Sequence, residues 1–257
     1  MKRKITFGII SIAISGLLVA LHLQDIRTRV NNNQNSADSN PSVQASNAAN
    51  DELSQAPTPQ EPSGVGDVGF VVNKKNPLPE GYVPGDLEVP NIELRLGRGE
   101  EQMQVRTEVA RALEQMFVDA DNQGVKLVFG SGYRSYELQK TFYTQYSAQS
   151  GQAEADKFSA RPGHSEHQTG LAVDIVNDTQ TCSLEACFAE TPEGLWIKQN
   201  SHKYGFTVRY QAEWEDITGY TYEPWHLRYV GTEISNKLYA ANIPLEQYFG
   251  LPVAPEY

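Results

Sequence analysis

Two histidines of this chain stand close to carboxylates, in settings where metal chemistry is possible. The first, His167, lies in the run Ser-Glu-His-Gln-Thr-Gly-Leu-Ala-Val-Asp, which ends at Asp174. If residues 171–176 form a strand, Asp174 lies among apolar neighbours, and a buried carboxylate needs a cation, a metal or several hydrogen-bond donors. One imidazole and one carboxylate are good zinc ligands, although catalytic zinc normally takes three protein ligands and a water.

The best source of a third ligand is the later run Glu-Pro-Trp-His, residues 223–226. His226 can supply a ring nitrogen, and a glutamate that lies near a metal without binding it can take a proton from water. Taken singly, each fragment is more often an ordinary hydrogen-bonded aspartate or a surface histidine. Together they predict one catalytic zinc ion held by His167, Asp174 and His226, with Glu223 as the catalytic base.

The two runs also resemble a known family. The first is similar to the S-x-H-x-x-G-x-A-x-D pattern of VanY-type D-alanyl-D-alanine carboxypeptidases, and the second is similar to their E-x-W-H pattern. This group of zinc peptidases also includes lysostaphin-like enzymes and the hedgehog signalling domain, and the resemblance covers residues 70–250 or so. It implies the same zinc ligands and base, and a substrate: the peptidoglycan stem peptide, from which a terminal D-alanine is removed.

A third segment, Ser-Gly-Tyr-Arg-Ser at residues 131–135, also resembles the family and implies that Arg134 faces the substrate. A guanidinium can bind a terminal carboxylate or polarise the scissile carbonyl, although Arg134 could instead be a surface residue that caps the turn. Ser165 matches the serine of the motif and is expected to bind the substrate backbone, as is Gln139. Arg161 is a second candidate for carboxylate binding.

The elements that position these residues can be read from hydrophobic periodicity and from capping signals. Ser135 is a candidate N-cap of a helix, and residues 130–132 read as a turn. Helices and strands interleave without a regular βαβ period, which indicates an α+β zinc-peptidase domain with a small antiparallel sheet flanked by helices. The predicted helices cover residues 100–122, 135–147 and 193–204, and the predicted strands cover 125–129, 171–176, 206–210 and 224–229.

The N-terminus differs from the rest of the chain. Three basic residues, 2–4, precede an apolar run over 5–23, which is typical of a signal peptide or an uncleaved membrane anchor. We expect an anchor over residues 1–24, a disordered linker rich in Asn, Ser, Gln, Ala and Pro over 25–66, and the zinc carboxypeptidase domain over 67–257. The positive-inside rule then places the domain outside a bacterial cell membrane, single-pass, or secreted if the signal is cleaved.

Charge and cysteine content narrow the partners. The chain carries 21 Lys and Arg against 32 Asp and Glu, a formal net charge of −11, which argues against a nucleic-acid partner. Contact with the membrane is expected through the N-terminal segment only, and the absence of heptads or a large apolar stripe favours a monomer. Cys182 and Cys187 predict a local disulfide, since no second cysteine pair could complete a structural zinc cluster.

Two other functions stay open at this point. Relatives with these motifs also act as L,D-carboxypeptidases on shortened tetrapeptide stems. A non-catalytic zinc-containing module that binds the cell wall is a further alternative, although such a module would not need Glu223 as a base.

Overall fold

The computed structural model describes residues 64–79 and 81–257. The predicted anchor, and all but the last three residues of the predicted linker, lie outside these residues. No helix in the described part of the chain has the length and apolarity needed to cross a bilayer. The strands are β1 Leu87–Glu88, β2 Val105–Arg106, β3 Leu127–Ser131, β4 Ala172–Asn177, β5 Phe206–Tyr210 and β6 Glu223–Tyr229; the helices are α1 Thr107–Asn122, α2 Tyr136–Ser150, α3 Gln152–Ala155, α4 Pro192–Asn200, α5 Glu215–Thr218, α6 Gly231–Ala241 and α7 Leu245–Tyr248.

The four longer strands form an antiparallel sheet in the order β3-β4-β6-β5. All six residues of β4 are buried, because this strand is central and both of its faces are covered. Val173 and Ile175 of this strand join the main core, as does Leu171 just before it, because alternate side chains along the chain face the same side. Asp174 lies on the opposite face, which is the face that carries the site.

Helix α1 covers the apolar face of the sheet. Its buried residues recur every three or four positions, which places them on one side of a helix. They pack in the same core cluster as β3, β4 and the central part of β6. These residues are Val109, Ala110, Leu113, Met116, Phe117 and Ala120.

The prediction of a helix from residue 100 is wrong at its start. Residues Glu101–Met103 form a short 3-10 helix, and Val105–Arg106 pair with β1 as strand β2, so α1 begins only at Thr107. The apolar spacing of Met103 and Val105 suits either arrangement, because both side chains are fully buried in the core. The predicted turn over 130–132 also begins later, since β3 runs through Ser131.

Other features agree with the sequence. The Ser135 hydroxyl accepts a hydrogen bond from the backbone N–H of Leu138, which confirms the predicted cap, although the helix extends to Ser150. Strand β5 has the predicted bounds, and the predicted helix over 193–204 is α4 followed by the 3-10 helix Ser201–Tyr204. The described residues therefore form the expected α+β domain with small antiparallel sheets flanked by helices.

Candidate zinc centre and active site

Three neighbouring strands place polar side chains in one row across the sheet. Ser131 at the end of β3 pairs with Asp174 of β4, and Asp174 pairs with His226 of β6. The Ser131 hydroxyl donates to Oδ2 of Asp174 at 2.5 Å. A register shift between Phe129 and Ser131 brings the serine opposite the aspartate, and such irregularities in a sheet often re-aim a side chain at a functional site.

His167 reaches this row from outside the sheet. It lies in the 3-10 helix Glu166–Thr169, which ends at Gly170 in the left-handed conformation, φ +68°. The chain then turns into β4. Nδ1 of His167 lies 2.7 Å from the carbonyl oxygen of Gly132. Only glycine fits at position 132, because a Cβ there would lie 2.4 Å from the Gln104 carbonyl oxygen.

Each histidine therefore has one ring nitrogen engaged and one turned towards Asp174. Nδ1 of His167 donates to the Gly132 carbonyl, so Nε2, 3.4 Å from Asp174 Oδ2, carries the lone pair. In His226 the roles are reversed: Nε2 faces Glu166 Oε2 at 3.3 Å, and Nδ1 lies 3.3 Å from Asp174 Oδ1. Hydrogen bonding thus selects the nitrogen that each ring can offer to a metal.

The three side chains fit a zinc ion. One ligand atom from each of His167, Asp174 and His226 lies within 4.8 Å of the others, and all three residues are buried. The buried Oδ1 of Asp174 has no hydrogen-bond partner in the described structure. Nε2 of His167 lies 3.4 Å from Oδ2 of Asp174, and Nδ1 of His226 lies 3.3 Å from Oδ1 of the same carboxylate. Imidazole nitrogen and carboxylate oxygen are both donors that zinc accepts. Two imidazoles and one carboxylate also leave one coordination position for water.

Protons and a cation compete for this group. Burial lowers the pKa of His226, but the carboxylates of Asp174 and Glu166, each 3.3 Å from one of its ring nitrogens, raise it to about 9. In the absence of a cation, Nδ1 therefore holds a proton at neutral pH. A metal that binds Nδ1 must displace this proton.

Glu223, the first residue of β6, lies beside the group without joining it. Its Oε2 is 3.9 Å from Nδ1 of His226, and the side chain is buried. Burial raises the pKa of Glu223 to about 8, and the opposite charge of His226 limits the rise. A nearby cation would favour the carboxylate form. A carboxyl group that titrates near neutral pH is suited to take up a proton and to return it.

The positively charged side chain of Arg134 lines the same cavity and is not paired with any carboxylate of the described residues. Among the described residues it forms no ion pair; Nη1 donates to Gln139 Oε1 at 2.8 Å, and its buried Nε has no partner. Burial lowers the pKa of Arg134, and Asp174 and Glu223 oppose this change. The guanidinium remains charged at neutral pH and can bind a carboxylate with its free donors.

The remaining predicted site residues divide into two groups. Ser165 is buried and lines the cavity. Gln139 is fully buried and does not line the cavity. Its amide donates to the Ala160 carbonyl at 2.6 Å and accepts from Arg134 at 2.8 Å, so it orients the arginine side chain. Arg161 is also absent from the lining; it pairs with Asp156 at 2.7 Å and stacks on the Tyr257 ring.

A cluster of buried charges behind His226 does not follow from the motifs. The carboxylate of Glu166 is fully buried and binds Arg209 at 2.9 Å and Arg228 at 3.0 Å through Oε1, while Oε2 faces His226. Glu246 binds the other side of the Arg209 guanidinium. Burial would raise the pKa of Glu166, but the two guanidinium groups keep it well below its usual value. The only sequence signal is the position of Glu166 beside a predicted ligand.

The cavity has a volume of about 320 Å³, with the zinc group, Glu223 and Arg134 in its lining. Tyr210, which the sequence does not single out, also lines it and packs against the His226 ring at 4.9 Å. Trp225 adds an apolar wall. The cavity can therefore hold a short peptide with its anionic end at Arg134 and one carbonyl at the zinc group.

Comparison with known proteins decides the family. The family model VanY, described as D-alanyl-D-alanine carboxypeptidase, matches residues 102–232, which include the zinc group, Glu223 and Arg134. The chain belongs to the VanY family. Among curated proteins, the carboxypeptidase candidate YodJ of Bacillus subtilis is 42% identical over 179 residues, covering 70% of this chain and 66% of YodJ. This VanY-family chain thus spans just under two thirds of that relative's length.

Two solved structures are similar to this chain in sequence and in fold. The LD-carboxypeptidase LdcB, whose structure concerns peptidoglycan recognition, is 40% identical with a TM-score of 0.69, covering 72% of this chain and 86% of LdcB. The vancomycin-resistance D,D-pentapeptidase VanY, solved with Zn(II), is 34% identical with a TM-score of 0.58, covering 71% and 98%. Zinc in that relative and the convergent His/Asp/His group here confirm the prediction of one zinc ion.

Proposed function

We propose that this VanY-family protein is a zinc-dependent D-alanyl-D-alanine carboxypeptidase that removes the terminal D-alanine from peptidoglycan stem peptides. The observation that carries the proposal is the unpaired Arg134 in the cavity that also holds the zinc group. A peptidase that needs a free C-terminus must neutralise a carboxylate beside the scissile bond. The D,D-pentapeptidase relative supports the choice of bond.

His167, Asp174 and His226 hold the zinc ion in this proposal, and zinc supplies Lewis acidity to the water and the scissile carbonyl. Glu223 accepts the proton of the attacking water and then delivers it to the leaving amine, for which its raised pKa is suited. Arg134 binds the terminal carboxylate and stabilises the negative charge that develops on the carbonyl oxygen. Ser165 binds the substrate backbone, and Gln139 fixes the orientation of Arg134.

An L,D-carboxypeptidase that shortens tetrapeptide stems is the second candidate. It is favoured by the similarity to LdcB, which is an LD-carboxypeptidase. Both reactions need the same zinc group, base and carboxylate site. They differ in the configuration of the residue whose carbonyl is attacked.

Location outside the cytoplasm is also part of the proposal. The apolar run over residues 5–23 supports an anchor or signal, and the composition of 25–66 supports a linker that leads to a domain over 67–257. The predicted disulfide between Cys182 and Cys187 is present, and such bonds persist in oxidising compartments. We propose a monomer with its substrate in the cell wall.

The test is digestion of purified pentapeptide and tetrapeptide stems with the domain, with products read by mass. We expect release of D-alanine from the pentapeptide, loss of release after removal of zinc by a chelator, and recovery on adding zinc. Cleavage of the tetrapeptide alone would establish the L,D reaction instead. Binding of stems without any cleavage would establish the non-catalytic module, and full activity after verified removal of the metal would refute the zinc mechanism.

A further inference from the structure

The loop that follows β4 returns to the catalytic cavity and closes on itself. Asp174 belongs to the zinc group, and ten residues later Leu184 lines the same cavity. Between them the chain leaves the sheet at Asn177, and the disulfide Cys182–Cys187 closes a small ring that contains Leu184. The ring continues directly into the 3-10 helix Ala186–Glu190.

The loop from Asn177 to Cys187 contains three residues in an unfavourable backbone conformation. Gln180, Cys182 and Leu184 have φ values of +56°, +55° and +57°, a region that side chains other than those of Gly, Asn and Asp rarely occupy. Three such residues within five positions persist only where the surroundings determine the conformation. Residues in this state concentrate at binding and catalytic sites.

The base of the loop is fixed by Asn177, which is buried. Its side-chain amide donates to the Thr181 carbonyl at 3.1 Å, and its backbone carbonyl accepts from the Gln180 amide side chain at 2.9 Å. The disulfide then fixes the distal end of the loop. Leu184 is therefore held at the cavity from two sides.

Leu184 belongs to a group of partly exposed apolar side chains that line the cavity and form its mouth. Leu184, Tyr146 and Phe158 line the cavity while 37%, 37% and 41% of their surfaces remain exposed. Exposed apolar surface that is continuous with a binding cavity favours contact with a ligand. In the proposed reaction, the last two residues of the stem occupy Arg134 and the zinc group, so only the preceding part of the stem can reach the mouth.

We propose that the disulfide-closed loop is a specificity element, in which the Cys182–Cys187 bond holds Leu184 against the aliphatic part of the stem residue that precedes the cleaved pair. This inference rests on the proposed function. It assigns the loop to recognition of longer stems and not to the chemical step. Loss of either the ring or the Leu184 side chain should therefore affect KM for a stem and leave kcat in place.

The test compares two substrates of different length: the pentapeptide stem of the proposed reaction, and an N-acetylated dipeptide that contains only its last two residues. In Cys182→Ser/Cys187→Ser and in Leu184→Asn, we expect KM for the stem to rise about tenfold, the value of one buried leucine contact, with kcat within about twofold. KM for the dipeptide should stay unchanged. Cysteine replacement is preferable to reduction, because thiols bind zinc.

Two controls keep the result interpretable. Asparagine accepts positive φ, so Leu184→Asn should keep the disulfide-closed ring even if the cysteine variant misfolds. Leu184→Met keeps an apolar side chain at this position, so its KM for the stem should stay near that of the wild type. Leu195→Asn replaces an exposed leucine outside the cavity lining, and KM should stay unchanged for both substrates. Wild-type KM for the stem in both Leu184→Asn and the cysteine variant would overturn this inference alone. A wild type that cleaves neither substrate would overturn the proposed function, and the inference with it.

Discussion

Two groups of charged side chains meet at His226, the Glu166 cluster at Nε2 and the zinc group with its cavity at Nδ1, and they differ in how completely their charges are paired. In the cluster, Glu166 is paired with Arg209 and Arg228, and none of these three side chains has measurable exposure. In the cavity, Arg134 has no anion among the described residues and Oδ1 of Asp174 has no hydrogen-bond partner. The paired cluster is complete without a ligand, whereas the cavity needs a cation and an anion to become complete.

This difference separates support from function within one buried region. Removing one partner of a buried ion pair is strongly destabilising, because the charge that remains is buried without compensation. An unpaired buried charge costs stability all the time, and persists where a ligand pairs with it. Substitutions in the Glu166 cluster should therefore appear mainly in stability and metal affinity, and those in the cavity mainly in the kinetic constants kcat and KM.

The largest effect is expected for Glu223→Gln. The amide keeps the shape of the side chain but cannot accept the proton of water, so release of D-alanine should fall about 10²- to 10⁴-fold. Zinc content and the free energy of unfolding should stay near those of the wild type. Glu213→Gln, at an exposed position, is the matched control and should be fully active. A Glu223→Gln protein that retained wild-type turnover would remove this residue from catalysis.

Next is Glu166→Gln, on the paired side. It removes the shared anion of Arg209 and Arg228, and breaking a buried ion pair from one side costs about 3–5 kcal/mol of unfolding free energy. The metal affinity should also fall about 10- to 100-fold, because His226 loses the acceptor that orients its ring. Urea unfolding and competition with a zinc chelator measure the two effects.

The exposed Glu137→Gln is the control for this substitution and should change unfolding by at most about 0.5 kcal/mol. If Glu166→Gln unfolded and bound zinc like the wild type, the cluster would have no supporting role.

A smaller effect is expected for Arg134→Lys. Lysine keeps the positive charge but loses the planar pair of donors that suits a carboxylate, so kcat/KM should fall about 10- to 100-fold, mainly through KM. Stability should change little, because no ion pair of the described structure is broken. Arg111→Lys, at an exposed position, should behave as the wild type. An unchanged KM in Arg134→Lys would place the carboxylate elsewhere in the cavity.

The smallest effect concerns acid stability. The folded pKa of Glu166 lies below its unfolded value of about 4.3, so its contribution is complete above that pH and is lost as the pH falls further. The unfolding free energy should therefore decline below about pH 4 more steeply in the wild type than in Glu166→Gln. Parallel slopes for the two proteins, from urea unfolding at several pH values, would contradict this assignment.

The sequence predicts the zinc group better than the Glu166 cluster. His167, Asp174 and His226 belong to two short runs whose chemistry is local, and the structure brings them together. The cluster behind them joins Glu166 to Arg209 and Arg228, which are 43 and 62 residues away, and no local pattern records such a pairing.

Gln139 illustrates the same limit on a smaller scale. Its residue type suits substrate binding, but only tertiary contact shows that its amide lies between Arg134 and the Ala160 carbonyl. The start of α1 could not be predicted from the sequence either, because Val105, which fits the helical period, pairs with β1 as part of strand β2. Local signals such as the Ser135 cap could be predicted since both partners lie within one turn.

The paired cluster also contacts the segment 68–73, which precedes β1 in the chain. Arg228 donates from Nη2 to the carbonyl oxygens of Val68 and Phe70, and Asn73 donates to Glu246. Residues 68–73 therefore cover the charges that support His226 with backbone carbonyl and side-chain amide groups. A proteolytic cut after residue 73 would admit water to those charges, so trimming at this end would loosen the metal from behind while leaving every catalytic side chain in place.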